Sequence, residues 1–316
     1  MKELDFLSII KNTSNNNGII GDDCAYLNDL GIFITQDTLV EDVHFSMHTT
    51  TPYLLGKKAV NVNLSDLAAA LSKPEYISVS LSMPKTIKEN FVYELYRGIN
   101  EVCAEYNIVL TGGDITGSDK VVISICALGK KIFNYITSRS FAKKGDYILT
   151  TGNYGSSGAG LYALSQFLYA SDNLITAHLS PKARIKEAID AGNIIDCNIA
   201  AMDTSDGLID ALYKISEASA HTMELDLSKV PVAPELIHFS KVNNLDYKNF
   251  VKWGAEDYEL ILCVNEDIYN KLDKNTFTCI GRVLNKDTKP CVIIKDSENI
   301  EYIKKETFES NSFNHF

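Results

Sequence analysis

The sequence predicts an α/β protein built as two domains. Three observations lead there. Short apolar segments alternate with long helical patterns over roughly the first 130 residues. A connector, Ser138 to Gly145, then interrupts the pattern, and strand–helix alternation resumes after it. The chain has 316 residues, 45% of them hydrophobic, enough for two sizeable cores. The boundary is expected within residues 135–145, giving domains 1–140 and 141–316.

Taken in order, residues 3–10 read as a short helix, and Asn12 to Gly18 as a polar, Asn-rich loop. Gly21-Asp22-Asp23-Cys24-Ala25 reads as a turn, because Gly and Asp favour one. Gly31 to Thr35 is strand-like and runs into Gln36-Asp37-Thr38. Tyr53 to Leu71 is a long helical pattern, apolar nearly all round towards its end, which marks a buried helix. Asp66 sits in that apolar stretch. It is either paired, hydrogen-bonded or metal-bound, or it meets solvent at a helix end. Tyr76 to Met83 alternates as a strand, with Ile77, Val79, Leu81 and Met83 on one face and Tyr76, Ser78, Ser80 and Ser82 on the other. Glu89 to Tyr106 is a helix, Asn107 to Thr111 a strand ending in Gly112-Gly113-Asp114, and Val121 to Leu128 another strand.

In the second half, Asp146 to Thr151 is a strand. Gly152, Gly155, Gly158 and Gly160 lead from it into a helix ending near Tyr169. Such a turn either cradles phosphate or allows close packing of helix on strand; it matches neither standard glycine-rich phosphate motif. Pro181 to Ala191 and Leu208 to Ala218 are helices. Thr222 to Leu227, Tyr258 to Val264, Thr278 to Leu284 and Cys291 to Ile294 are strands.

The net charge of −11 argues against nucleic acid as a partner. An acidic chain can still bind phosphates when cations bridge the repulsion. Seven cysteines without a C-x-x-C pair suit a reducing compartment. Neither a signal-peptide pattern at the N-terminus nor an apolar run of transmembrane length is evident, so the expectation is a cytoplasmic protein off the membrane.

The chemistry-bearing residues are acids. Met202-Asp203-Thr204-Ser205-Asp206-Gly207-Leu208 puts two carboxylates and two hydroxyls in a turn before an amphipathic run. This is either a helix N-cap or a set of oxygen ligands for a hard cation. Asp22, Asp23, Asp37 and Asp114 also stand where apolar segments meet turns, the places where α/β folds gather sites. Clustered carboxylates repel unless cations lie between them, and Mg²⁺ suits oxygen ligands that also face phosphate. There is no zinc-type Cys/His spacing and no G-x-S-x-G nucleophile motif.

Six segments occur in a telling order: Gly21-Asp22-Asp23-Cys24-Ala25; Asp37-Thr38-Leu39-Val40 with His44-Phe45; Val62-Asn63-Leu64-Ser65-Asp66-Leu67-Ala68-Ala69; Gly112-Gly113-Asp114; Asp203-Thr204-Ser205-Asp206-Gly207-Leu208; and Glu256-Asp257-Tyr258-Glu259-Leu260. Together they resemble the thiamine-monophosphate kinase family, in the superfamily of aminoimidazole ribonucleotide synthetase and selenophosphate synthetase. The resemblance runs the whole chain, down to Phe313-Asn314-His315-Phe316. It implies a two-domain, PurM-like α/β fold in which the N-terminal sheets of a homodimer meet in a barrel-like interface near the ATP site. It also implies transfer of the γ-phosphate of ATP to thiamine monophosphate, giving thiamine diphosphate. By resemblance, Asp23, Thr35, Gln36, Asp37, Asp66, Asp114, Asp203 and Asp206 would hold several Mg²⁺ ions. Tyr96, Gly113, Asp114, Arg139 and Ser205 would contact ATP, and His44, Glu256 and Phe313 would face thiamine monophosphate, Phe313 stacking on its aromatic part. Gln36, Asp42, Ala70 and Ala255 depart from the family pattern. Two other readings stay open: another ATP-using enzyme of the superfamily with a different acceptor, and a non-catalytic nucleotide-binding sensor.

Overall fold

The alternation of Ile77, Val79 and Leu81 with serines builds a strand that buries one side only, and that asymmetry governs the first half of the molecule. The computed structural model describes residues 20–287 and 289–312, with residues 6, 9, 10, 12 and 13. Most of the helix expected over residues 3–10, and the tail 313–316, lie outside them; Asn12 and Thr13, expected in a loop, are helical.

Five strands form the first sheet: β1 (Ala25–Leu27), β2 (Ile32–Val40), β3 (Lys73–Met83), β4 (Val109–Gly117) and β5 (Val122–Lys130). Their order is β1-β2-β5-β3-β4, antiparallel except for β3 with β4. Ile77, Val79, Leu81, Ile123 and Ile125 are buried beneath helices Pro52–Ala69 and Glu89–Tyr106. The opposite face presents Gln36, Thr38, Ser78, Ser80, Ser82 and Ser124, and no helix among the described residues packs extensively on it.

Seven strands form the second sheet: β6 (Tyr147–Thr150), β7 (Ala200–Asp203), β8 (His221–Asp226), β9 (Leu260–Val264), β10 (Thr278–Lys286), β11 (Val292–Asp296) and β12 (Asn299–Ile303), in the order β12-β11-β8-β10-β6-β9-β7. The helices Ser156–Ser165, Asp172–Leu179, Ile185–Gly192 and Leu208–Ser219 belong to this half.

Helix Pro52–Ala69 explains its own composition. Thr51 caps it, accepting a hydrogen bond from the Leu54 amide at 3.3 Å, and proline opens its first turn. It touches β2 and β5 on one side and β7 and β9 on the other, so every face is covered. One core therefore runs across both halves: Leu64 and Leu67 share a cluster with Leu149, Ala201, Leu260 and Leu262.

Several boundaries differ from expectation. The Asp37 segment and Gly112-Gly113-Asp114 are not turns: β2 continues to Val40, paired at every position, and β4 to Gly117, paired except at a bulge around Thr111–Gly112. The glycine-rich helix stops at Ser165, short of Tyr169, and the helix expected from Pro181 begins at Ile185. Strand β7 and helices Asp172–Leu179, Pro234–Val242 and Tyr247–Trp253 were not foreseen. No helix among the described residues is long and apolar enough to cross a membrane. All seven cysteines are free.

The two N-terminal helices meet through glycine. A Cβ at Gly98 would overlap the Tyr53 carbonyl oxygen, and one at Gly56 the Leu95 carbonyl oxygen. Backbone cannot yield as a flexible side chain does. Gly98→Ala should therefore destabilise the fold by about 2–3 kcal/mol, read as a lower melting temperature by circular dichroism. An unchanged melt would mean the helices can separate freely at this contact.

Candidate active site

Four segments converge on one group of acids. Asp23 precedes β1, Asp66 projects from helix Pro52–Ala69, and Asp203 ends β7. One oxygen from each lies within 4.8 Å of the others. Asp37, on the helix-covered face of β2, adds a fourth carboxylate whose charge is felt by Asp66 and Asp203. Its position is fixed through the backbone, since the Asp37 amide donates to Asn63 Oδ1 at 2.9 Å.

The environment disfavours this much negative charge. Burial first, then repulsion from Asp206 and Asp23, pushes Asp37 up to about 6. Burial, then Asp23, pushes Asp203 up to about 7. Asp66 is raised well above the usual carboxylate range by burial and by Asp37, although Thr35 Oγ1 donates to its Oδ2 at 2.5 Å. Asp23 is also raised by burial, against the pull of Arg139, whose Nη2 donates to Asp23 Oδ1 at 2.5 Å. Asp22 fixes the backbone of that arginine, accepting from the Arg139 amide at 2.8 Å and from Ser138 Oγ at 3.1 Å.

The turn after Asp203 is not a side-chain cap. Helix Leu208–Ser219 starts at Gly207, whose φ of 105° belongs to glycine, with no side chain capping its amides. Ser205 Oγ donates to Asp203 Oδ1 at 3.2 Å, while Asp203 Oδ2 is buried without a partner. An orphaned, buried carboxylate oxygen facing two other carboxylates is a donor set of oxygens alone, and it fits a hard cation such as Mg²⁺. Asp66 likewise does not meet solvent at a helix end but points into this group. Asp206 is turned to Lys214 Nζ at 2.7 Å, a lysine that also holds Asp210 at 2.6 Å.

A cavity of ≈ 920 Å³ opens beside the acids. Asp37, Asp66, Ser205 and Asp206 line it together with His44, His178, Glu256 and Tyr258. His44 Nδ1 accepts from the Val40 amide at 3.0 Å. Glu256 is held by Lys58 Nζ at 2.9 Å and lies 3.1 Å from His178 Nδ1. Burial alone would raise its carboxyl, but the Lys58 charge and the His178 contact outweigh that and hold it down at about 2.

The remaining expected residues are not gathered there. Asp114, on β4, pairs with Ser80 of β3, on the sheet face away from Asp37. Three strand spacings separate β2 from β4, about 14 Å. Gly113 lies on the same edge strand, packed against Val79. The Gln36 amide donates to Ser124 Oγ at 3.2 Å on the outer face, so its side chain is turned from the acids. Tyr96 is half-buried against the N-terminal core and does not line the cavity. Phe313 lies outside the described residues. The glycine-rich turn is taken up by packing: Asp257 accepts from the Gly155 amide at 2.7 Å and the Ser157 amide at 3.1 Å, and a Cβ at Gly160 would overlap the Leu174 carbonyl.

Lys58, His178 and Lys214 were missed in the sequence. A lysine two turns before Asp66, in a helix apolar all round, was the available signal for Lys58. Nothing local marks His178.

The chain and its fold have known relatives. Residues 21–130 match the family "AIR synthase related protein, N-terminal domain", and residues 143–287 its C-terminal counterpart. That defines the class: two-domain proteins related to aminoimidazole ribonucleotide synthetase. Thiamine-monophosphate kinase of Bacillus subtilis is 32% identical over 100% of both chains, and that of Escherichia coli 32% over 94% of this chain and 91% of its own. Among solved structures, one described as AaThiL complexed with AMPPCP and TMP superposes with a TM-score of 0.86 at 27% identity, covering 100% of this chain and 97% of that one. Within that class, this chain belongs to the thiamine-monophosphate kinase family. Hydrogenase maturation protein HypE, 18% identical with a TM-score of 0.74, shares the fold.

The raised carboxyls fix the sign of a pH effect. Unfolded aspartates titrate near 3.9, whereas folded Asp37 and Asp203 titrate near 6 and 7. Between those values the folded chain binds protons that the unfolded chain does not, so stability falls as pH rises from about 4 to 7. In chelator, the melting temperature should drop across that window, and Asp203→Asn should flatten the slope. A metal-free protein that grows more stable as pH rises from 4 to 7 would contradict the arrangement.

Proposed function

We propose that the protein transfers the γ-phosphate of ATP to the phosphate of thiamine monophosphate, giving thiamine diphosphate. The observation that carries this is the shared cavity: Asp37 and Asp66, which belong to the acid group, border one space with the His44–Glu256 wall. The relatives support it, one solved with an ATP analogue and TMP bound.

Asp23, Asp37, Asp66 and Asp203 would hold Mg²⁺, with Asp206 joining once released from Lys214. Bound there, Mg²⁺ would neutralise phosphate charge and orient the transferring group. The chain's own residues do the rest by position. Thr35 fixes Asp66, and Ser205 fixes Asp203. Arg139, tethered by Asp22, offers a guanidinium to phosphate oxygens when it leaves Asp23. The acceptor is itself a phosphate and needs no general base; alignment and charge compensation suffice. His44 and Glu256 would face the organic end of thiamine monophosphate, and Phe313 would cover it. Glu256 already has Lys58 as its counter-charge, so it acts there mainly as a fixed hydrogen-bond acceptor.

We infer a homodimer through the bare face of the first sheet. All of β4 except Leu110 is exposed, with Val109 54% and Ile115 60% accessible, an unprotected edge. Gly113, Asp114 and Tyr96 would then act at the seam with the second copy rather than in the acid group of their own chain.

Protein, ATP, Mg²⁺ and thiamine monophosphate should yield thiamine diphosphate by mass spectrometry, and ADP release should depend on the acceptor. Failure with this acceptor but turnover with another phosphorylated or carboxylated one would favour a different enzyme of the class. Asp37→Asn and Asp203→Asn should each lose nearly all turnover while remaining folded; near-normal rates would sink the metal assignment. Sedimentation at micromolar protein should give a dimer, and a monomer alone would overturn the proposed seam.

A further inference from the structure

Helix Pro52–Ala69 carries one buried cation. Lys58 is 3% exposed, and its Nζ has two neighbours, neither from its own helix. It lies 2.9 Å from Glu256 Oε1 and 3.0 Å from Glu256 Oε2, so it grips both carboxylate oxygens. It also donates to the His44 carbonyl oxygen at 3.4 Å. These two partners come from opposite halves of the chain, one before helix Pro52–Ala69 and one before β9.

Glu256 is held at its other end too. Its φ is 65°, in the left-handed region that side chains other than glycine rarely adopt. Its amide donates to the Ser205 carbonyl at 2.7 Å, inside the acidic turn. The backbone of Glu256 is thus tied to the turn of Asp203 and Asp206, and its side chain to the helix of Asp66. His178, 4% exposed, closes the remaining side at 3.1 Å.

We propose that Lys58 is a positioning residue for the acceptor substrate: it locks Glu256 and the His44 loop to one another across the two halves, so the wall that receives thiamine monophosphate is built before the substrate arrives. The inference rests on the proposed function and adds to it the residue that sets acceptor affinity. The hydrogen bonds of Lys58 go to Glu256 and the His44 carbonyl and not to Asp23, Asp37, Asp66 or Asp203, so its effect should fall on one substrate only. Removing it would leave Glu256 buried without its cation and free to rotate from the cavity wall.

The test is steady-state kinetics on wild type, Lys58→Met, Lys58→Arg, Glu256→Gln and the Lys58→Met/Glu256→Gln double variant. Wild-type turnover of thiamine monophosphate must come first; its absence would defeat the functional reading and not this one. Given turnover, Lys58→Met should raise KM for thiamine monophosphate about tenfold or more and leave KM for ATP within about twofold. Lys58→Arg should recover much of that loss. The double variant should be no worse than Glu256→Gln alone, because Lys58 acts through Glu256. If Lys58→Met does not fold, the double variant, which buries no lone charge, and Lys58→Arg carry the same comparison. Equal increases in both KM values, or additive losses in the double variant, would overturn the proposal.

Discussion

One helix, covered on every side, sets the terms for the rest of the molecule. Helix Pro52–Ala69 lies between two sheets, so any polar side chain on it must find a partner inside the protein. Four do so, two of them on β2, while Ser65 Oγ is buried without a hydrogen-bond partner. Lys58 reaches Glu256, Asn61 Oδ1 accepts from the Ala183 amide at 3.1 Å, Asn63 accepts from Asp37, and Asp66 accepts from Thr35. Burial turns these contacts into requirements, and together they specify how the two halves sit. The acid group follows from the same packing, because the helix delivers Asp66 to the place where Asp203 leaves β7.

Collecting carboxylates in that place is unfavourable for the chain alone. Burial and mutual repulsion raise Asp23, Asp37, Asp66 and Asp203 together, and Arg139 and Lys214 offset only part of the charge. The orphaned Asp203 Oδ2 marks where compensation is incomplete. A cation bound there would add to the stability of the fold.

The sequence made some of this legible and hid the rest for physical reasons. Asp66 stood out because a charge in an all-round apolar helix demands an explanation. Asp203 and Asp206 stood out because two acids and two hydroxyls exceed what a helix cap needs. By contrast, Gly112-Gly113-Asp114 and Gln36-Asp37 carry turn chemistry yet lie inside strands, since ladder pairing overrode local preference. Strand β7 was hidden by its Ala200-Ala201-Met202 composition, poor in β-branched residues. His178 could not be found at all: it sits in an ordinary amphipathic helix, and only tertiary packing brings it to Glu256. The turn pattern singled out Asp114 and the resemblance added Gly113, but neither gave a hint that Asp114 stands on the far side of the sheet from Asp37.

The shared core changes what the word linker means in this protein. The chain passes from the first sheet to the second only once, between β5 and β6, over residues 131–146. Ordinary domain pairs joined by one crossing depend on it and swing about it. Here Leu64 and Leu67 are packed among Leu149, Ala201 and Leu260, so the apolar interior holds the halves together without the peptide bond. A single backbone cut in that crossing would leave a nicked but associated molecule. The second half also holds a separate buried cluster around Leu212, Met223 and Ile261, so it would keep an interior of its own if the first half were lost.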